Sequence, residues 1–182
     1  MKGMNMSKLL QGQTVLVTGA SGGIGSAIVE RLAAEGARPI IHYCRHETAA
    51  KSLLSRVGGD GLIVQADLSE PDGPLALWRK SVDFAGRVHG LVNNAGVRTD
   101  ISVEAIPENW RGAWHREFQI NLFAAADLCK EAINHFKTEG GGRIVNIASR
   151  AGQRGSAAEA LPYGAAKAAL INLRVGPESY SV

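Results

Sequence analysis

Cysteine is nearly absent, with only Cys44 and Cys129 in 182 residues. Two thiols so far apart exclude a disulfide framework and a cysteine-built zinc site, and they favour a reducing, intracellular setting. Long apolar runs are missing as well. No stretch approaches the ~18 residues needed to cross a bilayer, and residues 1–8 lack the apolar centre of a signal peptide. A cytoplasmic protein without a membrane partner is therefore expected. Blocks of like charge do not occur either: the net charge is +3 and the basic residues are scattered, so a nucleic-acid partner is not indicated. Internal repeats, low-complexity tracts and linkers are absent. With 45% apolar content, 182 residues can bury one substantial core. We expect one domain over 1–182, with an N-terminal extension at 1–12 and an irregular tail at 174–182.

What is present is an alternation of short β-branched runs with helical patterns. Residues 14–18, 39–43, 62–66, 90–93 and 143–148 read as strands. Helical spacing runs from Gly23 through Ile24, Ile28, Leu32 and Ala33, then over 47–56, 75–84, a long stretch at 108–136, and again from about Tyr163. Continuous apolar strands separated by helices predict an α/β, Rossmann-type, doubly wound parallel sheet covered on both faces. Residues 140–142, three glycines, read as a turn before the fifth strand.

The first strand runs into Gly19-Ala20-Ser21-Gly22-Gly23-Ile24-Gly25 and then a helix. Glycines at that junction let the backbone approach a pyrophosphate, and the free N–H groups and dipole of the helix start favour negative charge. An ordinary glycine-rich turn would look similar. After the second strand the segment is His42-Tyr43-Cys44-Arg45-His46, with no carboxylate before Glu47. Arg45 is available for a 2′-phosphate, which favours NADP(H) over NAD(H). A solvated loop charge is the alternative for Arg45.

Tyr163 and Lys167 stand one helical turn apart, behind Pro162, which suits a first turn. A phenol ionises near pH ~10, and an ammonium within ~4–6 Å favours its phenolate, so the pair could exchange a proton with an alcohol or ketone. A surface helix would tolerate the same two residues on one face.

Taken in order, these motifs resemble the short-chain dehydrogenases/reductases over residues 14–173. Thr18 to Gly25 is similar to that family's cofactor turn, Asp67-Leu68 to its adenine contact, and Asn93-Asn94-Ala95-Gly96 to the motif closing its fourth strand. Asn121 stands where the long helix carries a catalytic asparagine, and Ser149, Tyr163 and Lys167 complete the set. The resemblance implies hydride transfer between a nicotinamide cofactor and a small carbonyl or secondary alcohol, with no metal. Ser149 would hold the carbonyl, Tyr163 would carry the proton, and Lys167 would lower the Tyr163 pKa and hold the ribose. Asn121 would anchor a water relaying protons to Lys167. The cofactor contacts it implies are Gly19, Ser21, Gly23, Ile24, Gly25, Arg45, Asp67, Leu68, Asn94, Ala95, Gly96, Tyr163 and Lys167. Gly22 stands where many NADP-preferring relatives carry Arg or Lys, which removes one phosphate contact.

Relatives continue past Lys167 through a long helix, a sixth strand, a substrate-covering loop and a seventh strand. Here Gly176-Pro177 would end the helix about three turns after Tyr163, and strands six and seven are missing. The resemblance then implies an uncovered edge at 144–147 and less cover over the nicotinamide half of the site than over the adenine half. The alternative to an active enzyme is a non-catalytic, nucleotide-binding or oligomer-forming fragment. Pairing through the helices of Asn121 and Tyr163 makes a homodimer the favoured assembly. Residues 150–161 would line the substrate pocket, and the chain's character is similar to the 3-oxoacyl carrier-protein reductase and sugar-alcohol dehydrogenase branches.

Overall fold

A computed structural model describes residues 8–174. Five parallel strands form one sheet in the order β3-β2-β1-β4-β5: β1 Thr14–Val17, β2 Arg38–Tyr43, β3 Leu62–Gln65, β4 Gly90–Asn93 and β5 Arg143–Asn146. The expected α/β architecture is therefore present. Leu16 pairs with Ile40 on one side and Leu91 on the other, and both β1 and β4 are buried along their whole length. Such central strands have no solvent side, which is why they read as unbroken apolar runs.

Helices cover both faces. On one, α1 (Gly23–Ala34) and α2 (Glu47–Arg56) bring Val29, Ala50 and Leu53 against Val15, Val17 and Ile41. On the other, α3 (Gly73–Ala85) and α5 (Ala124–Thr138) bring Leu77, Trp78, Leu128 and Ala132 against Leu16, Ile40 and Leu91. The alternation of faces along each strand follows from the two-residue period of a pleated backbone.

Two expectations are corrected. The stretch 108–136 is not one regular helix: α4 (Pro107–Phe118) passes into a π-helical segment, Gln119–Phe123, before α5. The 150–161 loop also contains helix α6 (Ala151–Arg154) and a 3₁₀ turn, Ala158–Ala160, before α7 (Leu161–Asn172). Helix α7 starts with Pro162 in its first turn, as the sequence suggests, but ends at Asn172, where Leu173 leaves helical geometry with ψ 79°. Gly176-Pro177 and the remainder of the proposed tail lie outside the described residues, as do residues 1–7 of the N-terminal extension.

Among the described residues β5 pairs only with β4, and Val145 on this strand is 49% exposed. Just beyond α7 the backbone returns to this edge, where Asn146 donates from Nδ2 to the Leu173 carbonyl at 2.6 Å.

Candidate active site

Every sequence-predicted site residue except Asn121, Tyr163 and Lys167 follows the carboxyl end of a strand, the side where open parallel sheets bind ligands. Gly19 to Gly25 follow β1, Arg45 follows β2, Asp67 and Leu68 follow β3, Asn94 to Gly96 follow β4, and Ser149 follows β5. The three exceptions come in from the side on α7 and the π-helical segment, which pack against each other.

The glycine turn is held by side chains rather than by its own backbone alone. Thr18 Oγ1 accepts the amides of Asn94 and Ala95, both at 2.9 Å, and Asn94 Nδ2 donates back to the Thr18 and Gly19 carbonyls at 2.9 and 3.1 Å. This ties the turns after β1 and β4 into one unit. Gly19 has φ +61°, a left-handed conformation, and a Cβ there would stand 2.8 Å from Ala95 Cα. A Cβ on Gly23 would project into open space at the start of α1, the face such a turn offers to a phosphate. Ser21 is half-buried and Ile24 is 66% exposed on the same turn.

His42, a residue whose role sequence reading does not reveal, supports the turn from beneath. Its Nδ1 accepts the Gly19 N–H at 2.9 Å and its Nε2 lies 3.1 Å from the Ala66 carbonyl. A backbone N–H only donates and a carbonyl only accepts, so the ring is neutral with its proton on Nε2. Burial pushes its pKa below the ordinary 6.5, opposed by the Ala66 bond and Asp67. The unfolded chain thus takes up a proton more readily than the folded one. The stability from neutral His42 is full above pH 6.5 and is lost as pH falls through its folded value. His89 is shifted the same way, by burial and then by Arg87 and His135. Urea unfolding at about pH 7.5 and about pH 5 should show the acid loss, and His42→Asn should flatten it in part. An unchanged pH slope in that variant would remove His42 from the account.

The adenine end is more open. Asp67 is exposed, and the hydroxyl and amide of Ser69 donate to its Oδ1 at 2.6 and 2.9 Å. These bonds hold its carboxyl below the usual range, with nearby Arg45 acting in the same direction. Leu68 is 5% exposed and belongs to the core, so only its backbone is available to a ligand. Arg45 is exposed, with its charge close to Cys44 and Asp67.

Asn121 and Lys167 are 1% and 4% exposed and converge on Gly96. The point where a Gly96 Cβ would stand lies 2.7 Å from Asn121 Oδ1 and 3.3 Å from Lys167 Nζ. Any side chain there would drive these groups apart. Asn121 closes a ring with Val97, accepting its N–H at 3.1 Å and donating to its carbonyl at 2.9 Å. Lys167 Nζ donates to the Ile147 carbonyl at 3.0 Å and lies 6.0 Å from the Tyr163 ring centroid. Burial lowers the Lys167 pKa, and Glu117 partly counters it.

Ser149 is half-buried and its Oγ accepts the Ala151 amide at 3.2 Å, opening α6. Helix α6 is pressed onto α7, since a Cβ on Gly152 would stand 2.6 Å from the Lys167 carbonyl carbon. The turn carrying Ser149 is thereby fixed against the turn carrying Lys167. Glu117, fully buried one helical turn before Asn121, also escapes sequence reading, because a charged helical residue ordinarily marks a solvent face. Its only sequence signal is the spacing of four to Asn121.

A parallel sheet in the order 3-2-1-4-5, with a glycine turn after its first strand, defines a Rossmann-type α/β protein. The model of the short chain dehydrogenase family matches residues 13–175. The chain belongs to this family of oxidoreductases, which use nicotinamide cofactors. It is 36% identical over 149 residues to a short-chain type dehydrogenase/reductase of Picea abies, covering 77% of this chain and 55% of that protein. It is 35% identical over 167 residues to a 3-oxoacyl-[acyl-carrier-protein] reductase of Synechocystis sp., covering 89% and 65%. The solved structure of a mutant short-chain dehydrogenase/reductase of Serratia marcescens superposes with TM-score 0.80 at 33% identity, covering 90% of this chain and 66% of that one. The chain thus spans between about half and two thirds of the length of these relatives. Among the described residues no helix is long and apolar enough to cross a membrane, and no cluster of metal-binding side chains occurs.

Proposed function

We propose that the chain carries the site of an NADP(H)-preferring oxidoreductase acting on a carbonyl or secondary alcohol, working in the cytoplasm as one nucleotide-binding domain. The observation that carries this is the convergence of Asn121 and Lys167 on Gly96, with Tyr163 one turn from Lys167. The cradle suits a dinucleotide: Gly19 and Gly25 leave no room for side chains, while Gly23 faces open space at a helix start. Gly19, Ser21, Gly23, Ile24 and Gly25 would hold the pyrophosphate, Asp67 and the Leu68 backbone the adenine, and Arg45 the 2′-phosphate. Asn94, Ala95, Gly96, Tyr163 and Lys167 would hold the remainder.

When bound, the nicotinamide supplies the hydride exchanged with the carbonyl carbon. Ser149 donates its hydroxyl to the substrate oxygen, and Tyr163 gives that oxygen its proton or removes it. Lys167 would hold the nicotinamide ribose, and Asn121 positions a water on the proton path to Lys167. The substrate class, 3-oxoacyl-like or sugar-alcohol-like, follows from likeness to relatives.

A homodimer completes the proposal. Trp110, Trp114 and Phe118 form a ring ladder along α4 that ends at Phe123, 49% exposed, on the helices that would pair. Sedimentation of monomer alone at micromolar concentration would remove this part. The main test is carbonyl-dependent oxidation of NADPH and NADH with a panel of ketones and 3-oxoacyl thioesters, with NADPH expected to be used faster. The alternative reading is nucleotide binding without turnover. Binding of NADPH with no oxidation by any carbonyl would select it.

A further inference from the structure

Two donors at the start of the glycine turn are held by one residue. The Gly19 N–H goes to Nδ1 of His42 at 2.9 Å, and the Ala20 N–H goes to the His42 carbonyl, also at 2.9 Å. Asn94 secures the turn from the β4 side through the carbonyls of Thr18 and Gly19, but among the described residues the Gly19 N–H has no acceptor other than His42. That acceptor is conditional. The ring is 2% exposed, and with Nε2 committed to the Ala66 carbonyl it can accept at Nδ1 only while it carries a single proton. A second proton would set a donor against a donor, in a ring too deeply buried to turn to solvent.

We propose that His42 is a proton-operated clasp on the nucleotide turn: neutral, it holds Gly19 in the geometry that receives the pyrophosphate, and protonated, it releases Gly19, so that nucleotide affinity falls in acid. The claim rests on the nucleotide-binding reading above and adds regulation to that same site. By reciprocity, bound nucleotide resists the protonation of His42. The elements packed on β2 are β1, β3, α1 and α2. β1 carries no titratable side chain, and β3 leads into Asp67, whose charge favours the imidazolium but is outweighed by burial. The charges of α1 and α2 stand in surface pairs, Arg31 with Glu35, Glu30 with Arg56 and Lys51 with Glu47. Release therefore falls below pH 6.5. An imidazolium acting only as a charge would attract phosphate and tighten binding in acid, the opposite sign.

The test titrates the whole chain with NADP⁺ by calorimetry between about pH 8 and about pH 5, always beside His42→Asn. That variant places an oxygen where Nδ1 stood and takes up no proton. It shares with wild type the titration of the 2′-phosphate near pH ~6, which cancels in the ratio of the two affinities. NMR of ¹³C-labelled histidine locates the His42 midpoint in the free chain, as the signal missing from the variant. The wild-type to asparagine ratio should be level above that midpoint and fall by up to about tenfold per pH unit below it. His42→Gln, whose amide reaches the Nε2 position and leaves Gly19 without an acceptor, should bind about tenfold more weakly than wild type at pH ~7.5. Its ratio to His42→Asn should not change with pH. Should either variant fail to fold, the other serves as the non-titrating reference. A ratio that stays level through the His42 midpoint or rises in acid would overturn the proposal, as would a ring that takes up no proton before the chain unfolds. A wild-type chain that binds no NADP⁺ at neutral pH would instead remove the nucleotide reading itself, and the clasp with it.

Discussion

Tyr163→Phe is expected to lower carbonyl-dependent NADPH oxidation by about 10²–10⁴-fold while leaving nucleotide affinity nearly unchanged. The substitution removes one oxygen and keeps the ring, so packing on the half-buried α7 surface and the neighbouring Lys167 are preserved. What is lost is the only group proposed to exchange a proton with the substrate oxygen, and a buried ammonium cannot replace it through a ring 6.0 Å away. Single-turnover kinetics alongside a fluorescence titration of NADPH separate the two effects. Turnover that survives the change would end the assignment of Tyr163 as proton carrier. Equal loss of binding and turnover would point to a structural role instead.

Gly25→Ala should damage nucleotide binding and stability together. Its new Cβ would stand 2.6 Å from the Gly19 carbonyl, 2.7 Å from Asn94 Nδ2 and 2.8 Å from Ala20 Cα, where only backbone and a doubly bonded amide are available to give way. Overpacking of this kind costs about 1–3 kcal/mol, which corresponds to a Tm lower by about 2–10 °C. If the strain falls on the turn itself, the same range lowers NADPH affinity roughly ten- to hundredfold. Gly22→Ala is the control, since its Cβ meets only the Gly19 carbonyl at 3.6 Å, an ordinary contact. Equal effects at the two glycines, or wild-type affinity in Gly25→Ala, would contradict the packing account.

Those two glycines show how far the sequence can be read. The motif at 19–25 and the strand-turn-helix context are plain in the residues, because β1 and β4 have no solvent side and their apolar runs end sharply at the turns. Which glycine is sterically required is not plain, since that depends on Ala95 and Asn94 arriving from a strand about seventy positions away. The same limit hides His42 and Glu117. A histidine in a strand and a glutamate in a helix ordinarily face water, and their burial is made tolerable by the bonds of His42 to Gly19 and Ala66 and of Glu117 to Thr99 and Asn121. The long helix was legible in position but not in form. Its apolar pattern continues on both sides of Asn121, and a single wide turn leaves composition unchanged. Helix α6 escaped because four residues carry no period.

The wide turn at Gln119–Phe123 acts as a phase change between the two halves of that helix. Successive helical residues are about 100° apart, so the additional residue rotates everything beyond it by roughly that angle. Upstream, the helix aims Glu117 at Asn121; downstream, it aims Ala124, Leu128, Cys129 and Ala132 at the sheet. Removing one of the five residues would force a choice between these two alignments. The helix can therefore lengthen or shorten at either end, but its middle has to keep its residue count for the Glu117–Asn121 contact and the core to coexist.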